Sequence, residues 1–237
     1  MTTYYQRDGV AIYHGDALEL VASLPVPDLV LTDPPYNVGV AYGSLAADHR
    51  ADYAAWSRAW FAAVPRPLVF TPGPTHLAMW FAIQPPTWVG AWHKANAASA
   101  SGVGGFSAWE PVLFYGRPPR RVPHDAWSVP ITMQPWGPPH GSRPAGTWKL
   151  GAKKGAASSA TPPAGYHPCP KPLGFWSRLL EATTHPGQLV LDPFLGSGTT
   201  LHAALLLGRR AIGVELEEAY CELAAARLEA VTLEPAA

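Results

Sequence analysis

Between Gln188 and Val231 the chain alternates short apolar runs with helical patterns, and this alternation restricts its fold more than any other stretch. Gln188-Leu189-Val190-Leu191-Asp192 has the unbroken apolar character of a strand covered on both faces. Thr199 to Leu207 reads as a helix stopped by Gly208. Ala211-Ile212-Gly213-Val214-Glu215 is a second strand of the same kind. Glu217 to Val231 is a helix with acids at its start and Arg227 near its end, as the helix dipole favours. Strands hidden on both faces and joined through helices belong in a parallel sheet. Similar strands are expected at Val10–Tyr13, Asp28–Thr32, Leu68–Thr71, Thr87–Trp92 and Pro111–Tyr115. Helices are expected at Asp16–Val21, Ala51–Ala63, Thr75–Ala82 and Pro172–Thr183, with Asp16 near the N-cap of the first. The chain thus reads as α/β, a mostly parallel sheet flanked by helices.

The turn between the strand at Gln188 and its helix is Asp192-Pro193-Phe194-Leu195-Gly196-Ser197-Gly198-Thr199-Thr200. Glycines let a ligand approach the backbone, and free N–H groups at a helix start bind anionic groups. Glu215 ends the next strand seventeen residues after Gly198, where a carboxylate can accept from both hydroxyls of a ribose. Strand, GxG turn, helix, strand and terminal acid together predict a nucleoside-containing cofactor. A Gly-rich turn beside a surface Glu is the plainer alternative. The spacing is not GxGxxG and no Gly-Lys-Ser/Thr follows, so a pyrophosphate ligand or a P-loop fits poorly.

Asp33-Pro34-Pro35-Tyr36 follows the apolar run Leu29-Val30-Leu31, so it reads as a loop leaving the carboxyl end of a buried strand. The prolines remove backbone donors and stiffen the turn. The carbonyls of Asp33 and Pro34 and the Asp33 carboxylate form a cluster of acceptors with few donors, beside an aromatic ring. Such a cluster suits a planar group bearing an NH2. It also suits a rigid turn with a capping Asp.

At 237 residues the chain is long enough for one sizeable domain, residues 1–237, with an insertion. Its apolar runs fall short of a membrane span, and the first residues lack the features of a secretory signal, so a cytoplasmic protein is expected. Neither Cys169 nor Cys221 sits in a CxxC pair and the histidines show no ligand spacing, so no metal site is expected. Cys221 reads as a small buried apolar residue. Net charge is zero, yet Lys94 to Lys171 holds nine basic and two acidic residues. Such a local basic segment suits a phosphate-contacting face, or a solvated surface. From Arg117 to Tyr166 the sequence is rich in Pro, Gly, Ser and Ala, carries Trp127, Trp136 and Trp148, and shows little periodicity. It reads as an inserted loop that follows the last strand.

Phe194-x-Gly196-x-Gly198-Thr199-Thr200, taken with Asp33-Pro34-Pro35-Tyr36, resembles the S-adenosylmethionine-dependent amino-methyltransferases of DNA. His167-Pro168-Cys169-Pro170-Lys171-Pro172 looks like that family's HPxxKP segment. Gly15-Asp16 also matches, and Trp109 to Tyr115 looks like the motif behind the target pocket. The resemblance covers most of the chain. It implies a Rossmann-like methyltransferase fold with the circularly permuted motif order of the beta class, in which the segment between the two halves recognises DNA. That segment is here residues 117–165.

The resemblance implies methyl transfer to the exocyclic amine of a flipped base, with adenine N6 favoured by Asp at the head of the tetrapeptide. Tyr36 would stack on the base while the Asp33 carboxylate and the Pro34 carbonyl accept the amine hydrogens, on a turn stiffened by Pro35. Glu215 would take the ribose hydroxyls and Asp16 the adenine. Phe194, Gly196, Ser197 and Gly198 would line the methionine portion, and Thr199, Thr200 and Lys171 its carboxylate. Asp33, His167 and Asp192 complete the cofactor's surroundings. Arg117, Arg120, Arg121, Arg143, Lys149, Lys153 and Lys154 are the expected DNA contacts. No metal is required, and a homodimer and a restriction endonuclease are further partners the class allows. The alternatives are cytosine N4 methylation, a catalytically silent cofactor-binding DNA protein, and a methylase of RNA or protein glutamine. A thiolate mechanism at Cys169 fits poorly, because that position is variable within the HPxxKP segment.

Overall fold

The computed structural model describes residues 2–40, 48, 50–96, 99–100, 106–131, 167 and 170–232. The strands among them are β1 Tyr5–Arg7, β2 Val10–His14, β3 Leu29–Thr32, β4 Leu68–Phe70, β5 Trp88–His93, β6 Ser99–Ala100, β7 Phe106–Ser107, β8 Trp109–Tyr115, β9 Ala126–Ser128, β10 Leu189–Asp192 and β11 Arg210–Glu215. The α-helices are α1 Ala17–Leu20, α2 Tyr53–Ala63, α3 Leu77–Ile83, α4 Leu173–Thr183, α5 Thr199–Leu206 and α6 Glu218–Glu229.

One nine-stranded sheet runs in the order β1-β2-β11-β10-β3-β4-β8-β5-β9, and β6 and β7 form a separate pair. From β2 to β4 all neighbours are parallel; β1 and β8 pair antiparallel to their neighbours, and β9 lies parallel to β5. Strand period divides the apolar side chains into two layers. Leu29, Leu31 and Val190 face a cluster with Phe175 and Leu179 of α4, Leu201 of α5 and Cys221 and Leu228 of α6. Val30, Leu68, Phe70 and Leu191 face the other cluster, with Trp60 and Phe61 of α2 and Trp80 of α3. Trp60, Trp80 and Trp176 are each at most 1% exposed. At about 25 cal/mol per Å2, each such side chain contributes several kcal/mol to holding a helix on the sheet.

The sheet places chemistry at one edge. β2, β3, β4, β10 and β11 point the same way, so Asp16, Asp33, Thr71, Asp192 and Glu215 all emerge near their carboxyl ends. β8 runs the other way, so its early residue Glu110 reaches that same edge; β5 opposes β8, which brings Lys94 there too. Successive connections leave β10 and β3 in opposite directions, and such a switch point opens a crevice.

One expectation is corrected here. Pro111–Tyr115 is not the last strand before an insertion: β9 follows, pairs with β5, and buries Trp127 to 3% exposure. Residues 117–131 therefore belong to the folded body. Arg117 to Arg121 follow the end of β8, at the sheet edge opposite Asp33. There Arg120 donates to the carbonyls of Glu181 (2.7 Å, from Nη1) and Thr183 (3.1 Å, from its backbone N–H), satisfying the last turn of α4. Arg143, Lys149, Lys153, Lys154, Trp136, Trp148, Pro168 and Cys169 lie outside the described residues.

Candidate active site

A cleft at the carboxyl edge is lined by Asp16, Asp33, Trp56, Lys171, Phe194 and Glu215, among others. Its deep end is a set of charged and hydroxyl groups around Asp33. The loop after β3 expected to be rich in acceptors is correctly read, but donors from other elements meet it. Asp33 Oδ1 accepts from the Tyr36 hydroxyl at 2.6 Å and from the Thr71 hydroxyl, and Oδ2 from the Lys171 ammonium. Lys171 Nζ also lies 3.8 Å from Glu110 Oε2 and 4.8 Å from the Tyr36 ring centroid. Glu110 in turn accepts from Lys94 at 3.0 Å, and its Oε2 lies 3.2 Å from the Tyr36 hydroxyl.

These groups perturb one another. Burial raises the Asp33 carboxyl above the usual carboxylate range, and the Lys171 ammonium offsets part of that rise. Burial also pushes at Glu110, but Lys171 and Lys94 outweigh it and hold that carboxyl below its ordinary value. Burial, reinforced by the charges of Asp33 and Glu110, drives the Tyr36 phenol well upward, so it stays protonated as a donor. Tyr53 of α2 fixes the loop from outside by donating to the Pro35 carbonyl at 2.8 Å. Gly73 lies so close beneath Tyr36 that a Cβ there would sit 2.7 Å from the ring, and its φ of +65° already favours glycine.

The other end of the cleft is the Gly-rich turn. Glu215 is held by backbone N–H groups of Gly196 at 2.7 Å and Glu217 at 2.9 Å. Asp16 caps α1 as expected, accepting from the Leu18 N–H at 2.8 Å. Both carboxylates stand at the ends of adjacent strands, β2 and β11. Gly196 has a φ of +53°, and a Cβ there would meet His167 Nε2 at 2.8 Å. His167 packs edge-on to Tyr220 at 4.8 Å; burial, with Lys171 and Arg227 nearby, lowers it to about 3, so its ring is neutral. Phe194 is seated between Trp56 and Trp60 at 5.4 and 5.3 Å. Carboxylates at one end, a close-approach turn in the middle and the Asp33 cluster at the other suit a nucleoside joined to a charged tail.

Not every residue expected at the cofactor points its polar atoms to the cleft. Asp192 is 3% exposed and accepts from Thr32 at 2.6 Å, from Thr200, and from the Phe194 N–H at 3.1 Å. It ties β10, β3 and α5 together beneath the cleft. Burial, only partly offset by those donors, lifts its carboxyl to about 6. Thr200 also accepts from the Trp176 indole. Lys171, expected at the cofactor's carboxylate, has its ammonium on Asp33 while its carbonyl accepts from Thr199 at 3.3 Å. Thr71 and Lys94 were missed by sequence reasoning, and Glu110 was noticed only as an acid within a basic stretch and as part of a motif. No group of acidic, histidine or cysteine side chains suited to a metal occurs among the described residues, and none of their helices is long and apolar enough to cross a membrane.

Comparison with known proteins gives consistent results. The family model N6_N4_Mtase, described as DNA methylase, matches residues 89–226. The Type II methyltransferase M.ScaI of Streptomyces caespitosus is 30% identical over an alignment covering 96% of this chain and 84% of that protein. The crystal structure of an M1.HpyAVI–SAM complex is similar at a TM-score of 0.61 and 21% identity, covering 92% of this chain and 98% of the other. PvuII DNA methyltransferase (cytosine-N4-specific) is similar at a TM-score of 0.65 and 17% identity, covering 92% and 86%. At these identities the two structures attest to the fold.

Proposed function

The chain belongs to the DNA methylase family, and on that footing we propose that it methylates adenine N6 of a base rotated out of the duplex, with the Asp33 cluster holding the amine. It is an S-adenosylmethionine-dependent DNA amino-methyltransferase. The observation that carries the proposal is the Asp33 carboxylate, half-buried at the carboxyl edge and already gripping one ammonium group.

The cofactor supplies an electrophilic methyl on its sulfonium; the chain supplies the geometry. Glu215 would accept from the ribose hydroxyls and Asp16 from the adenine amine. The turn from Phe194 to Thr199, with His167 against Gly196, shapes the methionine end. Asp33 and the Pro34 carbonyl accept the two hydrogens of the target amine, which directs its lone pair along the cleft. Lys171 yields that place as the base enters, and Glu110, 3.8 Å away, receives its ammonium. Tyr36 covers the face of the base. The bound cofactor would give its methyl group to the amine nitrogen and leave as the thioether, and Asp33 would take the proton that the amine loses. Positioning and acceptors aimed at growing positive charge provide the acceleration.

Adenine is supported by Asp at the head of the tetrapeptide. DNA contact is assigned to the stretch between Ile131 and His167, which carries Arg143, Lys149, Lys153 and Lys154. Its flanks support this. Ile131 is bonded through both backbone groups to Asn96, just past β5, and His167 sits at the Gly-rich turn, so both lie at the carboxyl edge of the sheet. A homodimer, an endonuclease partner and action in the cytoplasm belong to the same reading. Labelled methyl transfer to DNA, RNA and protein, run side by side, tests it: label is expected in DNA alone, and label in RNA or protein instead would overturn it.

A further inference from the structure

Arg227 lies on α6, away from every motif discussed so far, yet it is only 4% exposed. Its guanidinium reaches the back of the Gly-rich turn. Nη1 donates to the Ser197 carbonyl at 3.1 Å and to the Thr199 hydroxyl at 2.9 Å, with Ser197 Oγ at 3.4 Å. Nε donates to His202 Nδ1 at 3.1 Å. The Thr199 hydroxyl, receiving from Arg227, gives its own proton to the Lys171 carbonyl, and the Lys171 side chain ends on Asp33. Hydrogen bonds at the backbone and at the side chain of Lys171 thus link α6 and the turn to the amine-holding cluster through that residue.

The contact is close by design of the backbone as well. Gly198 has a φ of +80°, and a Cβ there would sit 2.8 Å from that of Ala224, so α6 packs directly on the turn. Burial lowers Arg227 to about 10, which leaves it a cation at neutral pH. Burial likewise lowers His202 to about 4, so its ring is neutral and Nδ1 can accept. A buried cation behind a helix start adds to the positive end of that helix.

We propose that Arg227 is a positioning residue for the cofactor's amino-acid end: it braces the turn from Gly196 to Thr199 and places a fixed positive charge behind the site of the cofactor's carboxylate. This rests on reading that turn as the cofactor's. Its consequence is selective. The nucleoside end is gripped by Glu215 and Asp16, which Arg227 does not touch, so only ligands carrying the amino-acid portion depend on it.

Calorimetry with S-adenosylhomocysteine and with adenosine separates the two ends. For Arg227→Met we expect S-adenosylhomocysteine to bind ~3- to 30-fold more weakly, the scale of a partly buried charge acting at a helix end, and adenosine within about 2-fold of the wild type. Arg227→Lys, which keeps the charge, should recover part of the loss. Adenosine binding also shows that each variant is folded. Equal weakening of both ligands would mean a purely structural role, and unchanged S-adenosylhomocysteine binding would remove any role; either overturns the proposal. A wild-type chain that binds adenosine but not S-adenosylhomocysteine would instead overturn the assignment of the turn, and Arg227 with it.

Discussion

Replacing Asp33 by Asn keeps the size of the side chain and removes its charge. Asp33 now accepts from three donors: Tyr36, Thr71 and Lys171. The Asn carbonyl can still take Tyr36 and Thr71 at Oδ1, so the loop has no reason to move. What changes is Oδ2, where an NH2 would face Lys171 and the incoming amine. A charge-assisted acceptor aimed at developing positive charge is thereby exchanged for a donor. Losing one such preorganised group costs about 2.7–4 kcal/mol, or ~100- to 1,000-fold in rate. The fold should lose little. The Asp33 charge is itself costly to bury, and Lys171 retains Glu110 at 3.8 Å, which offsets part of the cost of removing one partner of the pair. The assay is single-turnover transfer of labelled methyl to DNA, paired with calorimetric titration of the cofactor. We expect the rate to collapse by the stated factor while cofactor affinity changes by less than about 3-fold. A variant within a few-fold of wild-type rate would refute the role of Asp33, as would a loss of affinity equal to the loss of rate.

Glu215→Ala should weaken cofactor binding by ~10- to 100-fold, because the ribose loses its acceptor and two backbone N–H groups lose theirs; calorimetry reads this directly. Gly73→Ala should push the Tyr36 ring aside and lower the methylation rate ~10-fold or more with cofactor affinity retained, since Tyr36 belongs to the amine-holding cluster and not to the Gly-rich turn. His202 is buried neutral at about 4 against an ordinary 6.5. Its folded value is depressed, so its contribution is whole above pH 6.5 and is lost as pH falls from there toward 4. His202→Asn should therefore flatten the fall of stability with acidification by about 1.4 kcal/mol per pH unit in that window, measured by denaturant titration. Affinity for DNA should fall steeply with salt if the basic residues between Ile131 and His167 contact phosphates; a flat salt dependence would dismiss them.

The C-terminal half was legible because its strands are buried on both faces and so carry unmistakable apolar runs: Leu189–Asp192 and Arg210–Glu215 fall within a residue of expectation. The edges of the sheet were not. Tyr5–Arg7 is a half-exposed strand of polar character, and Ala126–Ser128 buries only Trp127. In a Pro- and Gly-rich neighbourhood such a short pattern looks like loop. Within the site, Asp33, Tyr36 and Glu215 were legible since each follows a readable strand. Thr71 and Lys94 join them only through strand order and direction, which no local pattern records. A count of charge likewise does not record where each cation goes. Lys94 and Lys171 are sequestered with Glu110 and Asp33, and Arg120 serves α4 at the opposite edge. Arg227 was read as a complement to the dipole of its own helix; the packing of α6 on Gly198 turns it inward, to another helix's start.

The central claim is that this cleft places a methyl group on the exocyclic amine of a flipped DNA base, adenine by preference. Mass spectrometry of nucleosides from DNA treated with the protein and S-adenosylmethionine tests it most directly. The account predicts N6-methyladenine with the wild type and little or none with Asp33→Asn. N4-methylcytosine would overturn the choice of adenine, and 5-methylcytosine would contradict the amine-directed mechanism altogether.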